Sequence, residues 1–310
     1  MDARNAGGCA GSCIPKVDLS THPCYSRAAH FRFGRIHVPV APRCNIQCNY
    51  CIRKYACPNE NRPGVTMRVI SPSEAMETIR AATTRDPRLR VLGVAGPGDA
   101  LANTATLDTF ERARDEFPRL TRCLSTNGLL LPDRIEAIEK AGITTITVTV
   151  NAVEAAVGEQ IYSYVRYEGK TYRGQEAFAL LHRNQMEGIR EASLRGMVVK
   201  VNSVLIPGVN DRHMVAIARA VKDRGAYIQN IIPMLPLAKF AHLPEPTLAE
   251  VEQVRNECAQ VIDQFRNCQR CRADAIGVPG EEGCGPAEAV CVPKFLMQRK
   301  AAQAEGQEGA

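Results

Sequence analysis

The stretch Cys44-Asn45-Ile46-Gln47-Cys48-Asn49-Tyr50-Cys51 carries the chemistry that is easiest to read. Its three thiols stand four and then three residues apart, directly after the apolar run Ile36-His37-Val38-Pro39-Val40-Ala41. A tight loop with this spacing can turn three thiolates towards one centre. Iron–sulfur clusters are held by cysteine thiolates, normally four of them. Three leave one iron without a protein ligand, the kind of open position a reactive metal site keeps for its substrate. The alternatives are a zinc site and chance clustering.

Composition sets the bounds. The chain has 310 residues and is 45% hydrophobic, enough for a sizeable core, and its 13 cysteines are many for a protein of this size. No charged-then-apolar leader opens the sequence, so these thiols are expected in a reducing cytoplasm, where metal-binding or catalytic roles outnumber disulfides. No apolar run approaches the ~18 residues that span a bilayer, so no membrane partner is expected. The net charge of +6 suits an anionic cluster, a carboxylate-bearing cofactor or an acidic partner, and equally a solvated surface. Basic and aromatic residues do not interleave in the way that favours nucleic acid.

The elements that must position the loop follow from apolar runs alternating with helical patterns. Strands are expected at 36–41, 90–95, 122–125, 144–150, 198–205 and 227–232. Helices are expected at about 71–84, 106–116, 132–141, 154–165, 175–195, 211–224 and 248–265. Ser71-Pro72-Ser73-Glu74 combines a capping box with proline in the first turn. The fold class is therefore α/β: a parallel (β/α) barrel, partial with six strands or larger. An irregular extension (1–35) precedes the barrel (36–240); a helix and cysteine-bearing extension (241–300) and a disordered tail (301–310) follow. Barrel chemistry sits at the carboxyl ends of the strands. The cysteine loop, Gly96-Pro97-Gly98-Asp99, Thr126-Asn127-Gly128, Asn151 and Pro207 all fall at that rim.

C-x3-C-x2-C after a first strand resembles the signature of radical S-adenosylmethionine (SAM) enzymes. In these the open iron of a [4Fe-4S] cluster chelates SAM, and reductive cleavage gives a 5′-deoxyadenosyl radical. The resemblance narrows to the nitrogenase cofactor maturases of the NifB family. The matching residues are His22-Pro23-Cys24-Tyr25-Ser26, Cys44 to Cys51 with Arg53-Lys54-Tyr55, Asn61-Arg62-Pro63-Gly64-Val65, Gly93 to Asp99, Leu124 to Gly128, Pro207 to Asp211 and Cys268 to Asp274. They run from about residue 21 to 280. Ile52, Ala56 and Pro58 depart from the family's pattern. The resemblance implies an enzyme that uses SAM twice while fusing two [4Fe-4S] clusters. One SAM gives a methyl group to a cluster sulfide; another gives the radical that abstracts hydrogen from it. The carbon becomes the carbide of an eight-iron precursor of the nitrogenase cofactor. Implied partners are iron–sulfur donor proteins, a ferredoxin or flavodoxin as electron donor, and a separate carrier or scaffold, because the chain is too short for the carrier domain of longer members.

The resemblance makes Cys44, Cys48 and Cys51 the SAM-cluster ligands. It ties His22, Cys24, Cys57, Cys123, Cys268 and Cys271 to two substrate clusters. Glu60, three residues after Cys57, offers an exchangeable carboxylate ligand for a cluster that must leave. Gly96 and Gly98 resemble the turn that meets the SAM amino group, and Ser125, Asn127 and Asn151 could hydrogen-bond its ribose or carboxylate. Blander readings stand beside these. Cys268 and Cys271 could form a zinc site with Cys284 and Cys291. Cys123 could be a small buried hydrophobe, Cys57 a surface thiol, Cys258 a helix core residue and His37 a satisfied interior histidine. Cys9 and Cys13 have no assignment. Arg53 and Lys54 could balance cluster charge or lie in a solvated loop. The competing functions are a radical SAM enzyme with an auxiliary cluster acting on a small organic or peptide substrate, and a non-catalytic iron–sulfur scaffold.

Overall fold

The computed structural model describes residues 17–60, 68–268 and 271–281. Cys9, Cys13, Cys284, Cys291 and the segment Asn61 to Val65 lie outside the described residues. Six strands run parallel: β1 (Gly34–His37), β3 (Leu89–Val94), β4 (Thr121–Thr126), β5 (Ile143–Thr149), β8 (Val198–Leu205) and β9 (Ile228–Pro233), side by side in that order. A seventh, β10 (Ile276–Gly277), pairs antiparallel with β1. The sheet curls into a partial barrel of the expected α/β class. The helices between its strands are α2 (Pro72–Arg85), α3 (Thr104–Glu116), α4 (Leu131–Lys140), α6 (Gly174–Leu194) and α7 (Met214–Asp223).

Alternation along each strand divides its side chains between two faces. Ile36, Leu92, Leu124, Ile146, Val148, Val199 and Val201 point outwards, into one apolar core with Ile79 of α2, Phe110 of α3, Ile138 of α4, Ile189 of α6 and Ile217 of α7. The inner face is different in kind. Barrels are usually filled with branched apolar side chains, but here the interior carries Cys123, Ser125, Thr145, Thr147, Thr149, Lys200, Asn202 and Asn230, all buried except Cys123. The inside is thus built to meet something polar.

Some elements differ from the sequence reading. The first strand ends at His37 rather than Ala41, and the chain beyond it touches the sheet through Ala41, bridged to Pro97. The helix expected over 154–165 is only α5 (Ala155–Ile161); Tyr162–Tyr167 is strand β6, turning through Glu168-Gly169 into β7 (Lys170–Tyr172). Alternating Tyr and Val in Tyr162-Ser163-Tyr164-Val165-Arg166-Tyr167 favour a pleated surface. The left-handed φ values of 48° at Glu168 and 76° at Gly169 suit a two-residue hairpin. The last helix, α8 (Leu248–Ala259), stops short of Phe265. The segment after it instead runs along β9, where Gln229 donates to Asp263 and Phe265 to Gln229. Within 17–35, residues Arg27–His30 form a short helix, α1. At Ser71 the capping box closes with both bonds to Glu74.

Candidate active site

The cysteine loop is held by the hairpin that the sequence reading missed. Ile46–Cys48 forms strand β2, pairing antiparallel with β6: Ile46 opposes Val165, Gln47 opposes Tyr164 and Cys48 opposes Tyr162. Asn49 donates its N–H to Ile161, and Gln47 donates its amide to the carbonyls of Cys48 and Cys51 at 2.9 Å each. The Gln47 amide thus satisfies two carbonyls of the turn, and the Cys44 thiol donates to a third, that of Ile46, at 3.6 Å. Tyr50, beneath the loop, donates its hydroxyl to Asn59 and accepts from Asn151, both at 2.7 Å.

Beyond β1 the loop presses against the turn after β3. A Cβ at Gly98 would lie 2.3 Å from the Arg43 carbonyl oxygen, so only glycine fits there. Asp99, next in line, accepts from the N–H groups of Leu101, Ala102 and Asn127 and from the Thr126 hydroxyl, tying the ends of β3 and β4 together. Asn127 in turn donates to Asn45 Oδ1 at 2.6 Å and stands 3.7 Å from the Cys44 sulfur. The result is a narrow recess bordered by Cys44, Cys48, Cys51, Cys57, Glu60, Gly98, Ser125 and Asn127.

Electrostatics follow from burial. Burial, reinforced by neighbouring sulfurs, holds Cys48 and Cys57 above the ordinary thiol value, and burial pushes Cys51 up to about 11. Free of metal, these groups are thiols, so iron must displace their protons to bind. Burial opposes the charge on Arg53, but Cys44, Cys51 and Cys48 together hold the guanidinium above its ordinary value; its Nε also donates to Gln47 Oε1 at 3.0 Å. Glu60 is raised to about 7 by burial, against Lys200 and the donors Ser125, Asn202 and Thr149.

Deeper in the barrel lies a second set of donors. Cys24, Cys123 and Cys268 meet around Tyr25, Val198, Ile228 and Phe265, brought from the amino-terminal segment, β4 and the carboxy-terminal segment. His22 lies among them, Nε2 3.4 Å from the Thr145 hydroxyl. Burial, then Lys200 and His37, depress its imidazole to about 3, so it stays neutral, the ligand form. Its Nδ1 faces the N–H of Cys24 at 3.2 Å, which places the ring proton on Nε2. Nε2 can bind a metal only once that proton has moved to Nδ1, which gives up the bond from the Cys24 N–H. Lys200 of β8 projects into the same space.

Among the described residues no three His, Cys, Asp or Glu side chains close around one metal ion. That is compatible with a cluster, whose thiolates each bind a different iron and so stand further apart. The donor set of the recess fits a [4Fe-4S] cluster: three thiols from one loop, a nearby guanidinium, and a polar wall of Ser125 and Asn127 for a polar cofactor.

A family model for the radical SAM superfamily matches residues 38–221. The chain is 44% identical over 270 residues to the FeMo cofactor biosynthesis protein NifB of Klebsiella pneumoniae, covering 85% of this chain and 58% of that protein. It is also 44% identical over 267 residues to the protein of that name from Methanocaldococcus infernus, covering 85% of this chain and 87% of that one. The chain belongs to the NifB family of radical SAM proteins. It spans little more than half of several of its longer relatives, 52% of the one from Herbaspirillum seropedicae among them. A radical SAM methyltransferase from Sphaerobacter thermophilus superposes with a TM-score of 0.51 at 19% identity, over 75% of this chain and 64% of that one, a likeness of fold alone. Family membership implies a [4Fe-4S] cluster and SAM, and the recess is where they would sit.

Of the residues singled out in this NifB-family sequence, Cys44, Cys48, Cys51, Cys57, Glu60, Gly98, Ser125 and Asn127 border the recess together. Cys57 thus neighbours the three-cysteine loop rather than the deeper donors. Gly96 and Asn151 do not border it; Asn151 is fully buried, its amide on Tyr50 and its Oδ1 accepting from the N–H of Val204. Cys271 is half-buried on the stretch whose Arg272 carbonyl lies 3.1 Å from His37 Nδ1. Cys258 is buried in the core on α8. Sequence reasoning passed over Asp99 as a ligand of backbone N–H groups, and Tyr50, Gln47 and Lys200 altogether. Only Lys200 left a signal: a lone cation inside Val198-Val199-Lys200-Val201, at an inward position of a buried parallel strand.

Proposed function

We propose that this chain is a cofactor maturase that joins two [4Fe-4S] substrate clusters, with insertion of a SAM-derived carbide and a sulfur, into the eight-iron precursor of the nitrogenase cofactor. The observation that carries the reading is the pair of donor sets inside one barrel, with Glu60 between them. Glu60 borders the cysteine recess and also faces the deeper group, accepting from Thr149 at 3.2 Å and Asn202 at 2.9 Å. A catalyst that carries carbon from SAM to a metal cluster needs both sites within reach of each other.

The chain's own residues then take these parts. Cys44, Cys48 and Cys51 hold the resident cluster, which supplies the electron that cleaves SAM. Gly98 lets the backbone come close, and Ser125 and Asn127 offer hydrogen bonds to the polar end of SAM. Cys57, Glu60, His22, Cys24, Cys123, Cys268 and Cys271 are the ligands of the two substrate clusters. Glu60 and the neutral His22 bind iron more weakly than thiolate, which lets the product leave. Partners in this reading are iron–sulfur donor proteins, a ferredoxin or flavodoxin, and a carrier or scaffold that accepts the product.

The test is anaerobic reconstitution with reductant and SAM. Expected are roughly twelve irons per chain, from three four-iron clusters, formation of deoxyadenosine and S-adenosylhomocysteine, and a product that activates cofactor-free nitrogenase. About four irons per chain would point to another radical SAM enzyme, and no SAM cleavage by the reduced, loaded chain would leave only a scaffold.

A further inference from the structure

Lys200 is the residue that neither the fold nor the thiol ligands explain. It is 6% exposed, on the inner face of β8, and is the one charged residue of that strand. Among the described residues its ammonium makes no ion pair and no hydrogen bond; it lies over the rings of Tyr25 at 5.3 Å and Phe265 at 5.7 Å. A cation over two ring faces is attracted to them, but the rings cannot accept its three N–H groups as oxygen or sulfur would. A buried ammonium is costly unless opposite charge meets it, and Glu60, the one carboxylate that acts on Lys200, forms no direct ion pair with it. Folding tolerates one when something else supplies the missing charge.

The groups around it show what that is. Cys24, Cys268, Glu60 and Cys123 are the charged or chargeable groups that act on it, from the amino-terminal segment, the carboxy-terminal segment, the long loop and β4. Glu60 is the one acid among them, and its carboxylate is already engaged by Thr149 and Asn202. The other three are thiols, which become anionic only on binding metal. A four-iron cluster ligated by thiolates carries a net negative charge. The ammonium lies over Tyr25 and Phe265, in the cluster against which those three thiols pack, and so stands near that charge.

We propose that Lys200 is the counter-charge of an iron–sulfur cluster substrate held by Cys24, Cys123 and Cys268, a positioning residue that favours the anionic cluster over the empty site. This rests on the maturase reading above. A lysine suits the task, because a compact ammonium on a flexible stem follows a cluster that arrives and departs, whereas a guanidinium would demand a planar partner.

The experiment compares the full chain with Lys200→Met and Lys200→Arg, each reconstituted anaerobically, measuring iron per chain, the EPR signal of the reduced clusters and the melting temperature of the metal-free protein. Expected for Lys200→Met is the loss of at least one cluster, from roughly twelve irons per chain to roughly eight or fewer. The signal that shifts on SAM addition should stay, and the metal-free protein should melt at the same temperature or higher. Lys200→Arg keeps the charge and should retain more iron than Lys200→Met. Full iron in Lys200→Met, a lowered melting temperature of its metal-free form, or equal losses in both variants would each overturn the proposal. If the parent chain itself loads only about four irons, the maturase reading falls and Lys200 has no cluster to balance. Full loading of both the parent and Lys200→Met removes Lys200 alone.

Discussion

Asp99 shows how much one carboxylate organises. It is 4% exposed and accepts from three backbone N–H groups and the Thr126 hydroxyl. Asp99→Ala strips four buried donors of their acceptor at once. Unsatisfied buried groups cost about 1–3 kcal/mol each before relaxation, so a loss of about 3 kcal/mol in urea unfolding of the metal-free chain is expected. Histidine gives the pH dependence. Burial foremost, then Lys200 with His37 for His22 and Arg35 for His37, holds both imidazoles at about 3 against an ordinary 6.5. The unfolded chain therefore binds protons that the folded chain refuses. The stabilisation is complete above pH 6.5 and is lost as pH falls towards 3, at up to about 1.4 kcal/mol per unit per site. The urea midpoint of the metal-free protein should decline through that window, and His37→Gln should flatten the decline.

At the scale of elements, the β6–β7 hairpin is the brace of the cysteine loop. Val165 is fully buried opposite Ile46. Val165→Asp should release β2 without unfolding the barrel, because the parallel sheet does not pass through it. Iron bound by the three-cysteine loop should fall severalfold while far-UV circular dichroism stays near that of the parent chain. Gly98→Ala acts from the other side. Its Cβ would meet the backbone of Arg43, which cannot swing away as a side chain can. A cost of about 1–3 kcal/mol is expected from overpacking, together with weaker retention of the loop's cluster, read as faster iron release to a chelator.

Across the described residues, the segments on either side of the barrel strands complete its inside. Tyr25, from one segment, and Phe265, from the other, pack together against Val198 and Ile228, and β10 adds its edge to β1. α8 shares the same apolar core through Val251, Val254 and Cys258. Metal bound by Cys24, Cys123 and Cys268 would cross-link both segments to β4. Hydrogen exchange over residues 17–30 and 262–277 should therefore slow on reconstitution, with a higher melting temperature, since a ligand that binds only the folded state stabilises it. Equal exchange in the metal-free and reconstituted protein would detach these segments from the substrate site. Among the described residues no helix is long and apolar enough to cross a membrane.

The three-cysteine loop, the parallel strands and the rim were legible because they are local: thiol spacing, apolar periodicity and a capping box are written within a few residues of each other. The hairpin at Tyr162–Tyr167 was hidden because alternating aromatic residues directly after a helix read as more helix until β2 gives them something to pair with. Asn151 reads as a rim residue, and in the fold its amide donates to the Tyr50 hydroxyl, since position on a strand end does not say where a side chain finds its hydrogen bonds. The meeting of Cys24, Cys123 and Cys268, and the buried charge of Lys200 near them, depend on contacts between segments far apart in the sequence, and only the folded chain brings those together.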